Sequence, residues 1–164
     1  MPVRPFVPWP DRRLRTAAEP VGKITDEVRD LWDDMVDTME AMPGVGLAAP
    51  QIGVMLRLAV VDCSAERGQA VRMADPEIVS AGPGTFRWEE GSPNLPRVSA
   101  EIERPTPVVV AFTDQNGFRV RQTFEELWAT SVQHQIDHLE GGMYFDRLSR
   151  AKRDMLLRRA RKRA

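Results

Sequence analysis

The 164-residue chain has one cysteine, Cys63, so it cannot form an internal disulfide, and a reducing compartment fits. It has no apolar run approaching the length of a transmembrane helix. Its N-terminus, rich in proline at positions 2, 5, 8 and 10, lacks the apolar core of a secretory signal and is read as extended. It has no strong net charge: the formal total is -1, which gives no support for nucleic-acid binding by the molecule as a whole. Internal repeats, low-complexity linkers and breaks in composition are also missing. These absences, with 42% hydrophobic residues, lead to the expectation of one cytoplasmic domain spanning residues 1–164, with no membrane or DNA partner.

The near-neutral average hides an asymmetry. Residues 149–164 carry eight Lys or Arg against the single acid Asp154, a net +7, which leaves -8 on the rest. A basic end on an acidic body fits a polyanionic partner, and equally a solvated terminal helix.

Apolar spacing predicts the elements. Asp11 follows Pro10 into a short helical turn with Leu14 buried. Thr25 caps a long helix in which Val28, Leu31, Trp32, Met35, Val36 and Met39 share a face, and Pro43-Gly44 stops it. Residues 45–53 read as a glycine-rich loop or tight extended segment. Strands are expected at 56–61, 71–73 and 108–112, with a turn at Gly82-Pro83-Gly84 and a hairpin at Asp114-Gln-Asn-Gly117. A helix is expected over 124–139 and another over 150–161. Strands in the middle with helices at both ends indicate an α+β fold.

His134 and His138, the only histidines, are four residues apart on one helix, so both rings project from one face and could chelate one metal ion. Two unrelated helical histidines would have the same spacing. Three motifs add context. Gly44-Val-Gly-Leu-Ala-Ala-Pro-Gln51 fits Gly-x-Gly-Leu-Ala-Ala-x-Gln throughout. Gln133-His-Gln-Ile-Asp-His-Leu-Glu-Gly141 fits Gln-His-Glu-x-Asp-His-Leu-x-Gly except at Gln135. Glu90-Gly-Ser-Pro-Asn-Leu-Pro96 stands where the second motif, Glu-Gly-Cys-Leu-Ser-x-Pro, would fall. Asp75-Pro-Glu-Ile78 and Phe145-Asp-Arg-Leu148 agree in order and spacing. On these residues the chain resembles the peptide deformylases.

The resemblance implies a deformylase-like fold: antiparallel or mixed sheets around a central helix that bears the two histidines, with a C-terminal helix after it. It also implies hydrolysis of the formyl group from N-terminal formyl-methionine, using a divalent metal such as iron, zinc or nickel. Carried over, the ligands are His134, His138 and Ser92, the last in place of cysteine. Gln135 replaces the proton-transferring Glu, Gln51 keeps one oxyanion donor, and Gly46 and Leu47 line the cleft with their backbone. Asp137, Arg104 and Glu90 are scaffold.

The departures fall on three separate devices. Serine gives up its proton to a metal far less readily than cysteine. Gln135 cannot shuttle protons near neutral pH. Pro93 lacks the N–H that would be the second oxyanion donor. Ser99 stands where many family members have a peptide-binding arginine. The expectation is therefore weak or absent metal binding and little or no deformylation, in a pseudoenzyme whose cleft takes a peptide or small N-acyl ligand. Two alternatives remain open. One is a repurposed hydrolase or transferase on an N-acyl or formyl substrate, with Glu89 or Glu90 as the nearby carboxylates. The other is a weak metal-dependent deformylase. Some bacterial deformylases dock a basic C-terminal helix on the ribosome, so the resemblance also names ribosomal RNA as a partner for the tail.

Overall fold

A computed structural model describes residues 3–164; the first two residues of the proline-rich N-terminus lie outside the described residues. After a 3-10 turn at Arg12–Arg15, helix α1 (Asp26–Ala41) begins at Thr25, whose hydroxyl accepts the Val28 N–H as an N-cap. Val28, Trp32, Met35 and Met39 bury its inner face. Strands β1 (Gly46–Ala48), β2 (Leu58–Val61), β3 (Val71–Ser92), β4 (Leu95–Thr113) and β5 (Arg119–Phe124) form one antiparallel sheet in sequence order. Helix α2 (Glu126–Leu139) packs against β1 to β5, and α3 (Arg150–Arg163) packs on β4.

Two apolar clusters flank α2. One joins α1 to β1 and β2 through Trp32, Met35, Leu47 and Leu58. The other joins β4 and β5 to Ala129, Val132 and Ile136 of α2. Ten of the fourteen α2 residues are buried, including polar Gln133, His134, Gln135 and His138. Burying so many polar groups costs free energy unless they are bonded; Gln133 meets the demand on the Pro105 and Ala129 carbonyls, while His138 and the Gln135 oxygen have no partner.

The structure corrects several sequence expectations. Residues 82–84 form no chain-reversing turn: β3 runs through them, and a register shift between Ala81 and Gly84 absorbs the irregularity. Pro83 is tolerated because β2 pairs only with residues 71–74, so beyond them that edge of β3 has no ladder to lose. β4 starts at Leu95, well before the apolar run at 108–112, and β2 starts at Leu58 rather than residue 56. Phe124 ends β5, paired with Val108, instead of opening α2. Helix α3 continues to Arg163. The segment after α1 contains a strand and a 3-10 turn at Ala49–Ile52.

Candidate active site

The first motif supplies one wall of a cleft. At β1, Gly46 passes so close to α2 that a Cβ there would sit 2.4 Å from Gln135 Nε2 and 2.5 Å from Ser131 Oγ, so no larger residue fits without displacing them. The following 3-10 turn presents Gln51, buried, with its Oε1 accepting the Ala48 N–H at 2.9 Å. The second motif supplies the opposite wall, at the end of β3 and a two-residue turn, Pro93-Asn94, into β4. Helix α2 forms the floor. The resulting cavity of about 350 Å³ is lined by Gly46, Gln51, Glu90, Ser92, His134 and Gln135, with Val45, Trp88, Glu89 and Pro93 nearer the rim. The Leu47 side chain joins the core behind β1, so what that residue offers the cleft side is its backbone.

A buried ionic network holds the floor. Arg104, fully buried on β4, donates from Nε and Nη2 to both oxygens of Glu90 at 2.6 and 2.8 Å, and from Nη1 to Asp137 at 3.0 Å. Arg147 adds a bidentate pair to Asp137 at 2.8 and 2.9 Å. Burial pushes the Glu90 pKa up, but hydrogen bonds from Arg104 and then His134 outweigh it, and the carboxyl ends below its ordinary value. Glu90 is therefore an acceptor, and His134 Nδ1, 2.8 Å away, must donate to it. That bond fixes the tautomer and leaves Nε2 as the nitrogen open to a ligand.

His138 lies 4.9 Å from His134, ring centre to ring centre. It is buried, and neither ring nitrogen has a hydrogen-bond partner. Burial first, with the nearby Arg104 charge adding to it, pushes its pKa well below the ordinary histidine range, so it is neutral. A neutral, buried, unpartnered imidazole beside a second imidazole of fixed tautomer suits a divalent ion. The third position does not. Ser92 Oγ donates to Asn94 Oδ1 at 2.9 Å and receives longer contacts from the Gln51 amide and the Asn94 N–H. A protonated hydroxyl committed in this way is a poor ligand. Among the described residues no three His, Cys, Asp or Glu side chains are arranged to hold an ion. The donor set thus offers two nitrogens and lacks an anionic third ligand.

Gln135 reaches toward Gly46, and its buried Oε1 has no partner. An amide there can hydrogen-bond a ligand but cannot relay its proton. Ser99, at the position read as a lost arginine, donates to Glu89 at 2.7 Å on the rim.

Sequence reasoning missed two residues. Tyr144 stacks on His134 with ring centres 6.0 Å apart; its hydroxyl is buried without a partner, and burial pushes its pKa up. Asn94 ties the second motif to the first and to the N-terminal segment. Its place in a motif that departs from the family pattern was the available signal.

The family model described as Polypeptide deformylase matches residues 3–154. A peptide deformylase of Afipia carboxidovorans is 42% identical over all of this chain and 97% of its own length. A protein of Bradyrhizobium diazoefficiens named Peptide deformylase-like is 41% identical, covering 99% of this chain and 95% of its own. The crystal structure of the Ehrlichia chaffeensis peptide deformylase in complex with actinonin superposes with a TM-score of 0.91 at 33% identity, covering 99% and 98% of the two chains. This chain belongs to the polypeptide deformylase family.

Proposed function

We propose that this protein binds the N-terminal end of a formylated or otherwise N-acylated peptide in the cleft beside His134, and hydrolyses the formyl group little or not at all. The observation that carries this reading is the state of Ser92. The residue in the third-ligand position is a buried hydroxyl whose proton is directed at Asn94, not a thiolate open to a metal. His134 and His138 would hold a divalent ion only weakly with such a partner. Replacing the proton relay with an amide at Gln135 costs about 10²–10⁴-fold in rate on its own.

The cleft itself remains suited to a peptide. It is partly apolar at Val45, Trp88 and Leu127, and it offers polar groups at Gly46, Gln135 and Glu89. A relative of the same fold was solved with actinonin in complex. A repurposed hydrolase or transferase gains nothing from Glu90, because both of its oxygens are bonded to Arg104 and one also to His134. Glu89, on the rim, is the carboxylate left for that alternative.

The tail completes the proposal. Leu156 and Ala160 of α3 are buried against the domain, while Arg150, Lys152, Arg158, Arg159, Arg161, Lys162 and Arg163 are exposed. A ridge of that charge is suited to RNA, which supports ribosome contact near emerging peptides. No helix among the described residues is long and apolar enough to cross a membrane.

Calorimetric titration of chelator-treated protein with N-formyl-Met-Ala tests the binding claim. Saturable binding that competes with N-acetyl-Met-Ala is expected. Failure of both peptides to bind would remove the peptide reading of the cleft.

A further inference from the structure

Asn94 is buried, and its side-chain amide is fully committed. Its Nδ2 donates to the carbonyls of Val7 at 2.7 Å and Gln51 at 2.9 Å. Its Oδ1 accepts from Gln51 Nε2 at 2.8 Å and from Ser92 Oγ at 2.9 Å. Its backbone oxygen accepts the Trp9 N–H at 2.8 Å.

The consequence falls on Gln51. A carboxamide has two N–H bonds. One is directed at Asn94 Oδ1, the other makes the longer 3.4 Å contact to Ser92 Oγ, and Gln51 Oε1 is held by the Ala48 N–H. Neither N–H of that side chain is left for a ligand's carbonyl oxygen. The sequence expectation that Gln51 keeps one oxyanion donor meets a side chain that matches the motif in identity and differs in what it is free to do.

We propose that Asn94 is a positioning residue that closes the oxyanion pocket: it draws the Gln51 amide and the Ser92 hydroxyl into a closed ring of hydrogen bonds and withholds both from a carbonyl oxygen in the cleft. This rests on the reading of the cleft as a peptide site without efficient hydrolysis, and it names a further cause for that loss. Restoring the ligand, the proton relay and the Pro93 N–H would still leave the Gln51 amide held on Asn94 Oδ1, its shorter contact. The simpler alternative is that Asn94 only pins Val7 and Trp9 to the β3–β4 turn, in which case the Gln51 amide can still turn to a ligand.

Two measurements separate these. In the unsubstituted protein, the side-chain amide resonances of Gln51 and Asn94 are followed by NMR as N-formyl-Met-Ala is added. Both should stay fixed while the backbone amides of Val45 and Gly46 move; movement of the Gln51 side-chain amide would overturn the proposal. Separately, Ser92→Cys/Pro93→Leu/Gln135→Glu is compared with the same protein carrying Asn94→Ser, both loaded with nickel. Nickel content and KM should match, and kcat should rise about 10²–10³-fold with Asn94→Ser, the effect of one oxyanion donor. Equal kcat values at equal nickel content would refute the proposal. If Asn94→Ser does not fold, because the Val7 and Gln51 carbonyls lose their donor, the resonance measurement decides alone. Rapid formate release by the unsubstituted protein would instead sink the reading of the cleft, which keeps the two failures distinct.

Discussion

Replacing Arg104 with Met would remove the cation at the centre of the site's scaffold while keeping most of its apolar bulk. Arg104 is wholly buried, and its partner Glu90 nearly so. Removing one member of a buried ion pair leaves the other charge uncompensated and costs about 3–5 kcal/mol. For a chain of this length each kcal/mol lowers Tm by about 2–4 °C, so a fall of roughly 6–20 °C is expected. Asp137 is cushioned because Arg147 remains on both its oxygens, so the loss should trace to Glu90.

The pH dependence identifies the cause. With Arg104 present, Glu90 has a folded pKa below its unfolded one, so its contribution is present above the unfolded value and lost as pH falls through the folded value. Without Arg104, burial dominates and the folded pKa rises above the unfolded one, so the deficit is largest near neutrality and shrinks as Glu90 takes up a proton. Urea unfolding at pH 7 and pH 5 measures both. The double substitution Arg104→Met/Glu90→Gln should recover part of the loss at pH 7. A loss below about 1 kcal/mol, or one that is the same at both pH values, would refute this account of the buried pair.

Two further outcomes are expected. His138 is neutral in the fold with a depressed pKa, so the unfolded chain binds the extra proton. Stability should therefore be full above an ordinary histidine pKa of about 6.5 and decline below it by up to about 1.4 kcal/mol per pH unit, a slope His138→Phe should flatten in chemical denaturation. Full-length protein should co-sediment with ribosomes at low salt and dissociate steeply as salt rises, and Arg158→Glu/Arg161→Glu/Lys162→Glu should abolish this; equal sedimentation of the two proteins would reduce α3 to a solvated helix.

Much of the fold was legible because local and tertiary demands agree. The α1 face of Trp32, Met35 and Met39 repeats at helical spacing, and Thr25 caps it as its chemistry directs. The outer halves of β3 and β4 were not, because Arg87, Glu89, Glu101 and Glu103 face solvent on a two-stranded extension without an apolar run. Gly82-Pro83-Gly84 carries the composition of a turn, yet the ladder to Thr106 on β4 holds it extended. At the site, the motifs placed His134, Gln135, Ser92 and Gln51 around one cleft. The network around Asn94 could not be read in advance, since Val7, Trp9 and Gln51 lie 43 or more residues away in the chain and meet it only in the folded protein.

On the function proposed above, the Ser92, His134 and His138 set neither retains a metal nor supports deformylation. Protein purified and stored with nickel, then passed through chelator, should contain far less than one equivalent by elemental analysis. The nickel-supplemented protein should release formate from N-formyl-Met-Ala at least about 10²-fold more slowly than an ordinary family member, the lower bound set by the missing proton relay alone. One equivalent of nickel surviving the chelator, together with formate release at the rate of such a member, would show that Ser92 serves as a metal ligand and that the protein is an active deformylase.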